Sequence, residues 1–319
     1  MRAMFLMMNG ARLHTGAQGF ACASSSYLNA VNYARERIQG RHLLDSAKHD
    51  APAVPIIQHP DVRRMLIIMK SYVEGMRSLI YYVAMIIDKA HLGKDEKEKA
   101  NYAAIVDFLT PICKGYITDR AFEVCNHGMQ VYGGYGYIKE YPQEQLVRDC
   151  RITQIYEGTN GIQAMDLLAR KTVMDGGKSM MALAKEMQDT INKAKTIEVL
   201  KPLAEKLEPM VKRMGDAAMF LGKSMMEGQV MNAFAFAYNF MDVVGDVIMG
   251  WMLLWRANTA ADLLAGGKRK KDEKFLDGQI KSAEFFINNM LPLTNGKVET
   301  IMANCCAAVD IDDEAFGGK

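Results

Sequence analysis

Neither sign of charge prevails in this sequence: 39 basic residues stand against 37 acidic ones, a formal net of +2 over 319 residues. That balance offers no field for nucleic acid or an anionic membrane surface, so any anion must be held by local groups. The six cysteines, Cys22, Cys113, Cys125, Cys150, Cys305 and Cys306, form no CxxC pair and no spacing suited to a metal. They read as reduced core thiols in a cytoplasmic compartment, with neither disulfide nor metal site. Long apolar runs are also missing, since the longest weakly charged stretch, residues 230–255, contains Asn232, Asn239, Asp242 and Asp246, too polar for a membrane span. The apolar N-terminus is cut short by Asn9, Arg12 and His14 with no small-residue cleavage site after it, and reads as the first turns of a helix. His14, His59 and His127 share no ligand spacing, and no serine or cysteine stands in a nucleophile context, which leaves them structural roles. Convincing strand alternation is lacking as well.

What the chain has is apolar residues at helical spacing. Half of it is hydrophobic, ample for a buried core in one large or two ordinary domains. Residues 3–38 read as a long helix rich in small residues, held by close packing because glycine lowers its intrinsic helicity. Residues 40–58 read as irregular. After His59-Pro60, apolar residues at Val62, Met65, Met69, Val73, Met76, Leu79, Val83 and Ile86 predict a second long helix to about residue 90. A third runs over residues 98–132, ended by the glycines at 133–136, and a fourth from after Gly158 to Met174. The expected fold is all-α, an antiparallel four-helix bundle over residues 1–174. A helical extension follows over 175–319, with helices at 179–193, 197–226, 229–265 and 274–308 forming a second bundle. The basic cluster at 268–271 reads as a solvated loop.

The stretch Tyr156-Glu157-Gly158-Thr159-Asn160-Gly161-Ile162-Gln163 sets one carboxylate in a glycine-bearing turn at a helix mouth, with Thr159 or Asn160 as N-cap. Glu157 is either a functional acid beside backbone amides or an exposed loop acid favoured by the helix dipole. Arg12 and Arg37 share a face of the first helix, about 37 Å apart along its axis. One helix can therefore serve two anionic sites. Taken alone, Arg37 and Arg170 also suit helix C-termini, and the glycines at 133–136 also suit a helix end.

Gln130-Val131-Tyr132-Gly133-Gly134-Tyr135-Gly136-Tyr137, Glu140-Tyr141-Pro142, Arg148-Asp149 and Ile155-Tyr156-Glu157-Gly158-Thr159 resemble, in order and spacing, the C-terminal helical domain of the flavin-dependent acyl-CoA dehydrogenases. The likeness extends from the N-terminus to about residue 174. It is strongest to the subgroup with an extra C-terminal helical region, which includes 3-methylmercaptopropionyl-CoA dehydrogenases. The resemblance implies α,β-dehydrogenation of an acyl-CoA thioester, with Glu157 as the general base, FAD as cofactor and an electron-transfer flavoprotein as acceptor. It implies FAD contacts at Arg37, Gln39, Gln130, Gly133, Gly134 and Thr159, some of them reaching the flavin of a partner subunit in a homodimer or homotetramer. It places substrate contacts at Asn9, Arg12, Tyr156, Gly158 and Arg170. The sequence departs from the family's pattern at Asn9, at Gly40-Arg41 and at Gly161, where aspartate, an aromatic-glycine pair and glutamine are usual. It also lacks the family's N-terminal helical and middle β-domains. The expectation is the C-terminal half of a longer enzyme, inactive by itself. The alternative is a non-catalytic helical assembly module or one subunit of a split dehydrogenase.

Overall fold

The structure, a computed structural model, describes residues 2–267 and 270–318. The first helix, α1 (Arg2–Glu36), owes its small residues to a close crossing with the segment around residue 113. A Cβ on Gly16 would stand 2.0 Å from the Cys113 carbonyl oxygen, so only glycine fits there. Beyond α1 the chain forms a short antiparallel hairpin, β1 (Ile38–Arg41) and β2 (Ala53–Pro55), instead of the irregular segment expected. Four- and three-residue strands are too brief to print an alternation on the sequence, and all of β1 is exposed.

Pro60 opens α2 (Pro60–Leu92), and seven of the eight residues of its predicted apolar stripe, Met65 to Ile86, are buried. The Asp95 carboxylate accepts from the Lys97 amide and caps α3 (Glu96–Pro111). Pro111 removes one donor from the helical ladder, and the next residues, Ile112–Tyr116, widen into a π-helical turn before α4 (Ile117–Tyr132). The predicted third helix is thus one long rod with a bulge at its middle. It ends at Gly133, φ +61°, followed by the single turn α5 (Gly134–Tyr137). A further helix, α6 (Gln143–Ile152), was not expected. It docks on α1 through Gln143, whose Nε2 donates to the Ser26 carbonyl at 3.1 Å and whose Oε1 accepts from Ser26 Oγ at 2.7 Å. The predicted fourth helix is α7 (Asn160–Asp166), continued by a π-helical stretch, Leu167–Val173.

The extension contains α8 (Lys178–Lys195), α9 (Lys201–Met226), α10 (Val230–Ala235), α11 (Ala237–Ala265), α12 (Glu273–Phe285) and α13 (Thr294–Ala303). The helices expected over 229–265 and 274–308 are each broken, the first at Phe236 and the second between Phe286 and Leu293. Residues 268 and 269 of the basic cluster lie outside the described residues. Nearly every side chain from Phe240 to Leu254 is buried, as befits a helix packed on all sides, and α11 contacts α2 and α7 as well as α8, α9, α12 and α13. A single apolar core therefore runs through the first bundle and the extension. All six cysteines are free thiols.

Candidate active site

Glu157 stands in the turn between α6 and α7. Its φ of +56° is left-handed and that of Gly158 is +86°, so the chain reverses sharply just before Thr159. A left-handed conformation costs a residue with a Cβ about 1–2 kcal/mol. Thr159 is the N-cap, its Oγ1 accepting from the Ile162 amide at 3.4 Å. The buried Gln163 directs Nε2 toward the carbonyls of Glu157 and Gly158 at 3.5 and 3.4 Å. The turn is thus held through its carbonyls, while the Glu157 carboxylate is exposed and forms no hydrogen bond or ion pair among the described residues. Its backbone N–H likewise donates to no acceptor among them.

Under the turn lies a polar cluster that the sequence reading did not single out. Lys114, in the π-helical turn, has no exposed surface, and its ammonium donates to Asn160 Oδ1 at 2.8 Å. Burial pulls it down from 10.5 to about 8. Arg12 pulls in the same direction, while Asp119 and Glu157 oppose it. The Asn160 amide donates in turn to Gly115 O, Thr118 Oγ1 and Asp119 Oδ1 at 2.7–3.0 Å.

Beside the turn, the structure brings the two arginines assigned to substrate onto one carboxylate. Arg12 Nη1 lies 3.5 Å from Asp166 Oδ2, and Arg170 Nη1 lies 3.2 Å from Asp166 Oδ1. Arg12 is almost fully buried, its Nε without a hydrogen-bond partner among the described residues, and its Nη2 would be 3.9 Å from a Cβ on Gly158. Asp166 was missed, although its place four residues before Arg170 on one helix is the spacing of an ion pair. Asn9 stands one turn before Arg12 on α1 and is half-buried. The Tyr156 hydroxyl bonds to Gln18 Oε1 on the same helix. Asn9, Arg12, Tyr156, Glu157, Gly158, Thr159 and Arg170 thus lie along the first half of α1 and the α6–α7 turn and helix that pack beside it.

The remaining predicted residues meet near the other end of α1. Arg37, Gln39, Gln130, Gly133 and Gly134 all line one cavity of about 740 Å³. The Arg37 guanidinium lies 5.5 Å above the Tyr135 ring and 3.5 Å from Gln39 Oε1, and forms no ion pair among the described residues. Tyr33 and Tyr132 stack at 4.0 Å to make an aromatic wall. Thr159 alone of the six residues assigned to FAD is absent from this cavity.

The family described as "Acyl-CoA dehydrogenase, C-terminal domain" matches residues 1–172. This chain belongs to the acyl-CoA dehydrogenase family. A second description, "Acetyl-CoA dehydrogenase C-terminal like", matches residues 170–312. The chain is 40% identical over 294 residues to 3-methylmercaptopropionyl-CoA dehydrogenase of Ruegeria pomeroyi, covering 91% of this chain and 48% of that protein. It is 34% identical over 324 residues to a broad-specificity linear acyl-CoA dehydrogenase of Mycobacterium tuberculosis, covering 98% and 52%. The chain therefore spans about half the length of the curated relatives it matches. Its fold is similar to that of an acyl-CoA dehydrogenase of Bacillus anthracis solved with FAD, with a TM-score of 0.72 at 18% identity, covering 97% of this chain and 50% of that one.

His59 also lines the Arg37 cavity, where its Nε2 bonds to the Gln39 carbonyl at 2.7 Å. His127 is held down in pKa by burial, with Glu123 opposing. His14 is exposed. No three His, Cys, Asp or Glu residues among those described gather as a metal site. A mostly apolar groove of about 630 Å³ between α2, α11 and α12 contains none of the predicted site residues. No described helix is long and apolar enough to cross a membrane.

Proposed function

We propose that this chain is the C-terminal half of an FAD-dependent acyl-CoA dehydrogenase, inactive alone, in which Glu157 removes the α-proton of an acyl-CoA thioester. The observation that carries the reading is the Glu157 turn. A carboxylate with no hydrogen-bond or ion-pair partner among the described residues stands exposed at a helix mouth, in a backbone conformation that costs energy and that the Gln163 amide maintains. Strain kept at one acidic residue fits a base placed for its task better than a solvated loop acid. The Glu157 N–H, which has no acceptor among the described residues, is a donor for the thioester carbonyl, which would make the α-proton removable. Arg12 and Arg170 offer cations on the same rim for the CoA portion, with Asp166 fixing their heads.

The residues of the second cluster fit a flavin dinucleotide. Arg37 has no carboxylate partner among the described residues and presents a planar guanidinium suited to a phosphate, and glycines at 133 and 134 leave the backbone open beside it. Arg37, Gln39, Gln130, Gly133 and Gly134 would hold its diphosphate and adenosine, with Thr159 of a neighbouring copy contacting adenosine from the Glu157 end. FAD bound in the complete enzyme supplies the two-electron oxidant for the α,β carbon–carbon bond. Arg12 and Arg37 lie about 37 Å apart along α1, and no residue of the Glu157 turn lines the Arg37 cavity, so the two clusters of one chain are taken as parts of different flavin sites. This supports a homodimer or homotetramer in which each copy completes a neighbour's site. The same reading takes an electron-transfer flavoprotein as electron acceptor, a cytoplasmic location, and a division between bundle and extension at residues 174 and 175.

The test supplies the N-terminal half in cis or in trans. Glu157→Gln should still bind flavin and acyl-CoA and lose about 10²–10⁴ in the rate of flavin bleaching by substrate. Bleaching by this variant at close to the unmodified rate would overturn the role of Glu157. A complemented protein that takes up no flavin would favour the rival reading, a non-catalytic assembly module.

A further inference from the structure

The clamp on the Glu157 turn reaches into the C-terminal extension. Gln154 and Asn160 are the two ends of the turn, joined by the Asn160 amide donating to the Gln154 carbonyl at 3.1 Å. Both ends also donate to the same atom, Asp119 Oδ1, from Gln154 Nε2 at 2.8 Å and from Asn160 Nδ2 at 2.7 Å. The other oxygen of that carboxylate, Oδ2, accepts the hydroxyl of Tyr238 in the first turn of α11.

Tyr238 is the first of three polar residues at four-residue spacing on α11, hence on one face. Asp242 stands 3.7 Å from Arg120, and Asp246 Oδ1 accepts from Tyr116 OH at 2.7 Å. All three meet the segment 116–120, immediately after Lys114. Lys297 of α13 locks the stripe in place, 3.2 Å from Asp242 and 2.8 Å from Asp246. These groups are costly to desolvate, and burial raises the pKa of both Tyr238 and Asp242. A helix that only filled the core would do so more cheaply with apolar residues.

We infer that Asp119 is the positioning residue that fixes the Glu157 turn and that the extension sets its position through Tyr238, so that the second bundle is part of the catalytic support. Lys114 completes the clamp from below by holding the free oxygen of Asn160. It is faced by Asp119 from α4, by Arg12 from α1 and by Glu157 from the turn. The catalytic meaning of the clamp rests on the dehydrogenase reading, but the clamp itself does not.

The experiment is amide hydrogen exchange on the full chain without flavin or substrate, read as protection factors for residues 154–160. A failed clamp and a failed dehydrogenase reading therefore give different results. Tyr238→Phe and Asp119→Asn should each lower protection of the turn by about tenfold, the worth of one hydrogen bond to an ionised group, with α9 unchanged. Tyr81→Phe, an exposed tyrosine in the apolar groove, should change nothing. Protection in wild type should also rise as pH climbs from about 8 toward 10.5 and discharge of Lys114 lifts the cost of burying its ammonium under the turn, and Lys114→Met should abolish that step. Should Asp119→Asn fail to fold, Tyr238→Phe and the pH step decide. Turn protection within twofold of wild type in Tyr238→Phe, or a pH step that persists in Lys114→Met, would overturn the inference.

Discussion

At the residue scale, two side chains are kept in places that cost stability. Glu157 holds a left-handed backbone although it has a Cβ. Replacing it with glycine removes that strain but adds freedom to the unfolded chain, for a net gain of about 0.5–1 kcal/mol in urea denaturation. A loss of stability instead would mean that the carboxylate takes part in holding the fold. Lys114 is pulled from 10.5 to about 8 by burial, so between those values the unfolded chain holds a proton that the folded chain has released. Stability therefore rises with pH across that window, and the penalty is fully present below pH 8. Measured against Lys114→Met, the wild-type protein should gain up to about 3 kcal/mol from pH 8 to 10.5. A flat difference between the two proteins over that range would show that the ammonium is solvated. Glu157 and Arg12 were legible because a glycine turn at a helix mouth and a family motif mark them locally. Lys114 and Asp119 were not, because a polar residue on a helix reads as a solvated face unless its tertiary partners are known.

At the element scale, the apolar period of α2 was legible since every third or fourth residue reports the same buried face. The hairpin and α6 were not. β1 and β2 are too short for a pattern, and α6 is polar enough to pass for a loop, with only Gln143 and Cys150 of its ten residues buried. The crossing of α1 over the π-helical turn at 112–116 depends on the absence of a side chain at Gly16. Gly16→Ala would put a methyl group 2.0 Å from the Cys113 oxygen, a backbone atom next to Lys114. The helices would have to part, and a loss of about 1–3 kcal/mol in thermal unfolding is expected. An unchanged melting temperature would mean that the two segments part at Gly16 without cost.

At the scale of the whole molecule, the first bundle and the extension share one core. Residues 1–174 alone would expose the face of α2 that packs on α11, where Gly75 lies so close to Met249 that a Cβ would stand 2.8 Å from its sulfur. The truncated chain should lose its cooperative melting transition or aggregate. A sharp, reversible transition from residues 1–174 would instead make the extension an independent domain. The separation of the two site clusters along α1 adds an expectation for the intact chain: light scattering should report a dimer or larger at micromolar concentration, and Arg37→Ala should not change that state.

The sequence by itself determined the helical class, the main helices of the first bundle and the Glu157 turn, because helical period, capping residues and glycine are local signals read within a few residues. Only the tertiary structure decided which polar groups are buried. It joined Tyr238 to Asp119, Asp246 to Tyr116 and Asp166 to two arginines, pairs that are up to 154 residues apart in the chain. Desolvation and hydrogen-bond partnership depend on what lies across a contact, and no stretch of sequence records the other side of it.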